Sequence, residues 1–279
     1  MSILLGVVVG LLTVRLLLLA GRDIVAAPAL ERRNYRDLPL PTAIGVFAVL
    51  AVIAIEAARS TLGAFGVGDD PGVNAARPLV LWACLGFGFL GLVDDVLGTA
   101  GDRGFRGHLH ALAHGRITTG LLKIVGGAAV ALVLAAGPGF VSGKRLLSDA
   151  VLIALAANLG NLLDRAPGRV IKVGLVAWLP LALVAGTDAV GVAIAPVIGA
   201  FAGLLGDDLR ERVMLGDTGA NVLGAVLGLG VVLELGRGAR NGVLIGLVVL
   251  NLAAEIVSFS RLIERVPPLR WLDQLGRRD

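Results

Sequence analysis

Long apolar runs alternate along this chain with short polar, arginine-bearing interruptions. A membrane-spanning helix needs about 20 mostly apolar residues. Nine stretches approach that length: approximately Ser2–Ala20, Pro41–Ala58, Pro78–Val93, Thr119–Ala136, Ser148–Leu163, Ile171–Ala185, Ala189–Gly206, Gly219–Leu235 and Asn241–Phe259. Lipid admits only helices or closed barrels, and these runs are too long and too uniformly apolar for barrel strands. The pattern predicts an all-α, polytopic transmembrane bundle of about nine spans. It forms one domain over residues 1–279, with no soluble domain of any size.

Composition agrees. Hydrophobic residues make up 56% and charged residues 16%, where a soluble domain carries about 25% charged. Mean hydropathy is +0.87. Lys and Arg are placed unevenly: 17 fall in the odd-numbered loops and the C-terminal tail, 6 in the even-numbered loops. Positive charge marks the cytoplasmic side, so the expected topology has the N-terminus outside and the C-terminus cytoplasmic. The first run lacks a basic start and a small-residue cleavage site, and reads as a retained span. Cys84 is the only cysteine and falls mid-span, which excludes a disulfide framework and a thiolate zinc site. The isoelectric point near 10 comes from loops that would meet anionic headgroups or phosphates. No nucleic-acid-binding pattern is present.

An ion-coupled transporter would need internal repeats or mid-span charge. No repeat stands out, and Arg15, Glu56 and Glu255 all lie toward span ends. The chain has 40 glycines, several inside spans (Gly219, Gly224, Gly228, Gly230), where small residues let helices approach closely. From Ser260 to Asp279, Leu262, Ile263, Val266, Leu269, Trp271 and Leu272 lie among arginines, an amphipathic interfacial pattern.

The candidate chemistry sits at span ends. Asp94 and Asp95 close one run, Asp164 closes another, and Asp217 opens a third. A carboxylate at a bilayer edge is costly unless it is wet, paired or bound to a cation. The topology puts all of them on the cytoplasmic face. In Gly91-Leu-Val-Asp94-Asp95 two adjacent carboxylates sit at the unfavourable end of a helix dipole. A divalent cation would relieve them, and Mg²⁺ is usually held by one or two carboxylates plus substrate phosphates. The plain alternative is a solvated helix C-terminus. In Met214-Leu-Gly216-Asp217-Thr218-Gly219-Ala220-Asn221, Asp217 is either a helix N-cap or a metal or phosphate-site residue beside permissive glycines. Asn158, Asn161 and Asp164 recur every three residues, roughly along one helical face. Their amide and carboxylate groups suit a base edge or sugar hydroxyls. His108, His110 and His114 share the second cytoplasmic loop, either as phosphate or metal ligands or in a loose interfacial segment. Asp207-Asp208 reads as solvated.

Taken in order, these motifs resemble the polyprenyl-phosphate N-acetylhexosamine-1-phosphate transferases, the family of phospho-MurNAc-pentapeptide translocase. The resemblance covers most of the chain. Asn34-Tyr35-Arg36 followed by Pro41-Thr42 is similar to that family's first cytoplasmic loop and second-helix start, and Asp94-Asp95 to its Asp-Asp pair. Asn158, Asn161 and Asp164 resemble its Asn-x-x-Asn-x-x-Asp stretch, and Gly216-Asp217-Thr218-Gly219 its Gly-Asp-x-Gly. The resemblance implies transfer of a GlcNAc- or MurNAc-type sugar-1-phosphate from a UDP-amino sugar to membrane polyprenyl phosphate, with release of UMP. The setting implied is cell-envelope glycan synthesis at the inner (plasma) membrane, with the active site facing the cytoplasm. It implies Mg²⁺ held by Asp217 and Asp94, with Asp94, Asp95 and Asp217 catalytic. Asn158, Asn161, Asp164 and Lys123 would contact nucleotide or phosphate, and a homodimer is one candidate assembly.

The chain departs from that pattern in three places. A histidine-rich motif of the last cytoplasmic loop is replaced by Pro267-Pro268-Leu269-Arg270-Trp271-Leu272, where Arg270 would supply the charge. Pro167 stands where the family has a further Asp, and nine spans are expected where larger members have ten. These departures keep a second expectation open, a non-catalytic relative that binds polyprenyl phosphate or a nucleotide sugar as a sensor or partner of envelope assembly.

Overall fold

The structure is a computed structural model and describes residues 2–68, 74–98, 118–137, 142–186 and 188–277. Nine long helices dominate them: α1 (Ile3–Ala20), α2 (Gly45–Ala64), α3 (Ala76–Leu97), α4 (Thr119–Ala136), α5 (Gly143–Leu163), α6 (Arg169–Ala185), α7 (Ala189–Leu209), α8 (Gly216–Glu234) and α9 (Arg237–Ile256). All except α6 are long and apolar enough to cross a membrane. Helix α6 has 17 residues, with Pro180 inside it, and extends about 26 Å. Two short helices follow, α10 (Phe259–Arg265) and α11 (Pro267–Gln274). The expected all-α architecture is what the described residues show, apart from one small hairpin.

Several helices extend past the apolar runs that predicted them. Helix α3 runs through Asp94 and Asp95, α5 begins before Asp149, and α8 takes in Asp217. A hydropathy count stops at the first charged residue, whereas backbone hydrogen bonding continues until a cap ends it. Asp94, Asp95 and Asp217 therefore lie within last or first helical turns and not in loops.

Helices α7 and α8 form the centre, and each is buried over most of its length. Small residues make this possible. A Cβ at Gly224 of α8 would strike the Ala156 backbone of α5, and one at Gly160 of α5 would strike the Ala220 carbonyl of α8. Likewise, a Cβ at Gly199 of α7 would strike the Val7 carbonyl of α1. In lipid, such backbone approach replaces the hydrophobic drive that water supplies to soluble cores.

Between α1 and α2 lies a two-stranded antiparallel hairpin, with Glu31 opposite Pro41 and Arg33 opposite Pro39. Asn34 Oδ1 accepts from the N–H groups of Arg36 and Leu38 and closes its turn. The hairpin lies beside the α7–α8 loop. Met214 N–H donates to the Pro41 carbonyl at 2.7 Å, and Gly45 N–H to the Leu215 carbonyl at 3.0 Å. Asn34 and Tyr35 also donate to Glu211, while Arg32 Nη2 donates to the Val96 carbonyl at 2.7 Å, satisfying the end of α3.

The tail folds back onto the start of α6. Arg169 makes a bidentate pair with Asp273, at 2.8 and 2.9 Å. Lys172 Nζ donates to the carbonyls of Leu272, Asp273 and Leu275. At the opposite end of the bundle lie two ionic groups centred on half-buried or buried acids: Glu56 with Arg59 and Arg77, and Asp149 with Arg145 and Arg240.

Candidate functional site

Four helix ends converge: the C-termini of α3 and α5 and the N-termini of α4 and α8. Lys123, one turn into α4, is the hub. Its Nζ donates to Asp94 Oδ2 at 2.9 Å and pairs with Asp217 Oδ2. Asn161 of α5 completes the set. Oriented so that both ends of its amide are satisfied, it donates to Asp217 Oδ1 at 2.6 Å and accepts from Lys123 Nζ at 3.0 Å. The Asp94 and Asp217 carboxylates are drawn together on this one ammonium. Adjacent carboxylates repel unless a cation stands between them, and the Lys123 ammonium fills that role here.

Asp95 has a different role. Its Oδ1 accepts from Asp217 N–H at 2.9 Å, and its Oδ2 from Thr218 N–H at 2.9 Å and Thr218 Oγ1 at 2.6 Å. The first N–H groups of a helix have no partner inside it, so Asp95 of α3 caps α8 from another helix. The N-cap reading of Asp217 is thereby replaced. Asp217 lies inside the first turn, and its side chain turns to Lys123 and Asn161. Two glycines open the necessary space. A Cβ at Gly91 would come within 2.5 Å of the Asp217 carbonyl, and Gly216, at φ +75°, would bring one within 2.5 Å of Asp95 Oδ2.

Asp164 follows the last turn of α5. Burial, then the neighbouring charges of Asp208, Asp217 and Asp95, push its carboxyl well above the ordinary carboxylate range, while a hydrogen bond from the Gly216 backbone pulls the other way. The fourth acid in this group, Asp208, corrects an expectation. Instead of being solvated it is 6% exposed, and it accepts from Gly168 N–H at 2.9 Å. Asp207 pairs with Arg15 and Arg212. Nothing local in the sequence signals that Gly168 and Asp208 meet, since 40 residues separate them.

The Asn158–Asn161–Asp164 series divides. Asn161 and Asp164 reach the carboxylate cluster, but Asn158 donates to Asn251 Oδ1 of α9 at 2.7 Å. Three residues advance a helix by about 300°, which is enough to swing Asn158 onto the neighbouring interface. Arg270 is exposed on α11, a helix docked to α6 and not to the Asp94–Asp217 pair. His108, His110 and His114 lie outside the described residues.

Beside the cluster runs an apolar groove of about 510 Å³ between α5, α6, α8 and α9. Gly160 and Leu163 line it at the Asn161–Asp164 end, and Val184 and Leu235 at the other. It therefore extends along most of the helices' length.

Among the described residues no three acidic, imidazole or thiol groups converge on one point, so an all-protein cage is absent there. Two carboxylates and an amide oxygen facing one ammonium do suit Mg²⁺, which usually completes its octahedron with water and substrate phosphate.

No protein-family model matches the chain, and no curated protein matches it.

Proposed function

We propose that this protein is a polytopic membrane enzyme that transfers a sugar-1-phosphate from a UDP-amino sugar to polyprenyl phosphate. In this reading α6 also spans the membrane, making nine spans, with the N-terminus outside and the Asp94–Asp217 end facing the cytoplasm at an inner membrane. The observation that carries it is the joint ligation of Lys123 by Asp94, Asp217 and Asn161 at one end of an apolar bundle.

Phosphoryl transfer asks mainly for positioning and charge neutralisation. Asp94 and Asp217 would hold Mg²⁺, which when bound neutralises diphosphate charge. Lys123 lies where it can bind a phosphate oxygen. Asn161 and Asp164 would contact the nucleotide. Asp95 is a positioning residue, holding the α8 terminus that carries Asp217. The groove is lined throughout by apolar residues and glycines, which suits a polyprenyl chain whose phosphate rests near Leu163. In the reaction an oxygen of the lipid phosphate forms a bond to the sugar-bound phosphorus. The bond from that phosphorus to the UMP oxygen breaks, and UMP leaves.

The test offers labelled UDP-GlcNAc or UDP-MurNAc-pentapeptide with polyprenyl phosphate and Mg²⁺ to wild type and Asp217→Asn in liposomes. The expected result is a Mg²⁺-dependent lipid-linked product that the variant does not form. Folded protein that binds polyprenyl phosphate yet forms no product from either donor would point to a non-catalytic relative.

A further inference from the structure

The three oxygens around Lys123 Nζ are Asp94 Oδ2, Asp217 Oδ2 and the Asn161 amide oxygen. An ammonium has three donors, and all three are used. The same three oxygens are the donor set a hard divalent cation would take at this point. One position cannot hold both cations. The three charged side chains are only 20–24% exposed, so the carboxylates have little water to replace a lost counter-charge.

We propose that Lys123 is a built-in counter-cation that occupies the divalent-metal position until the donor arrives. Entry of the metal with the donor diphosphate then moves the ammonium off the carboxylates and onto a phosphate oxygen. Lys123 thus makes metal binding weak alone and stronger with diphosphate, a coupling of the two ligands through one side chain. The inference rests on the transferase reading of the Asp94–Asp217 pair.

The test measures Mn²⁺ binding to the full-length protein in detergent by electron paramagnetic resonance. Lys123→Met should bind Mn²⁺ about tenfold more tightly than wild type, because an opposing charge is removed from the site. Lys123→Arg, which keeps the cation, should stay near wild type, and Asp217→Asn should lose affinity. A second measurement needs no variant. Acetic anhydride labelling of wild type, read by mass spectrometry, should rise at Lys123 when Mn²⁺ binds, with Lys144 and Lys172 as internal controls. Mn²⁺ affinity that is equal or weaker in a Lys123→Met protein with unchanged melting overturns the proposal, as does Lys123 labelling that Mn²⁺ leaves unchanged. In either case affinity still lost in Asp217→Asn leaves the carboxylate metal site standing. Affinity unmoved in Asp217→Asn would remove that site as well, and with it the basis of the transferase reading.

Discussion

Asp95 Oδ2 accepts hydrogen bonds from both the amide and the hydroxyl of Thr218, a residue 123 positions later in the chain. One carboxylate thus serves as the cap of a helix to which it does not belong. The position of Asp217, and with it the ligation of Lys123, depends on that attachment.

Replacing Asp95 by Ala leaves two α8 N–H groups and a buried hydroxyl without partners. The expected cost is about 2–3 kcal/mol, read as a lower melting temperature in detergent. Asp95→Asn keeps one acceptor oxygen and should lose less. A variant that melts like wild type would show that the cap contributes nothing.

Gly216→Ala should be damaging for two separate reasons. The left-handed backbone at φ +75° costs a residue with a Cβ about 1–2 kcal/mol. The new methyl would also press on Asp95 Oδ2 and, at 2.8 Å, on the Ala43 nitrogen. Melting should fall, and sugar-phosphate transfer should fall further than melting alone accounts for.

Ala177 lines the groove on α6 and is exposed there. Ala177→Trp should raise the KM for long-chain polyprenyl phosphate about tenfold, roughly two methylenes' worth of lost apolar cover. The KM for the UDP-sugar should not move. Equal changes in both constants, or none, would place the lipid chain elsewhere.

Tail docking should depend on pH. Burial pushes the Asp273 carboxyl up, but hydrogen bonds and charge from Arg169 and Arg277 outweigh it, leaving its pKa below the ordinary value of 3.8. A lowered pKa stabilises the docked state above the ordinary value, and the stabilisation is lost as pH falls through the lowered one. The tail should therefore resist limited proteolysis at neutral pH and become cleavable in strong acid. Asp273→Ala should expose it at every pH, because Arg169, 4% exposed, loses its buried partner, a change that typically costs about 3–5 kcal/mol.

Much of this architecture is legible in the apolar runs, because lipid leaves so few alternatives to the helix. The runs mislead at their ends, where Asp94, Asp95 and Asp217 prolong helices that hydropathy cuts short, and the run over α6 gives a helix of 17 residues that falls short of a span by length. The acidic motifs do gather at one end of the bundle. They do not reveal the division of labour, since adjacent Asp94 and Asp95 look alike in sequence and differ only in what α8 presents to each. Lys123 shows in the sequence as a lone charge in an apolar run and a candidate phosphate contact, with nothing to tie it to Asp94 and Asp217, which it meets across 29 and 94 residues. Asp208 reads as wet because burial at the end of α7 depends on a glycine 40 residues earlier. Asn158 is misplaced by a spacing of three, which keeps only loosely to one face.

The packing of α1 against α7 also bears on biosynthesis. Arg15 of α1 donates to the Gly203 carbonyl of α7, 188 residues downstream. At about 5–20 residues per second of translation, α1 enters the bilayer roughly 10–40 s before that partner is made. A ribosome-bound intermediate must hold an arginine near the membrane edge with its eventual acceptor not yet synthesised, so the insertion machinery or lipid headgroups must accommodate that charge in the interval.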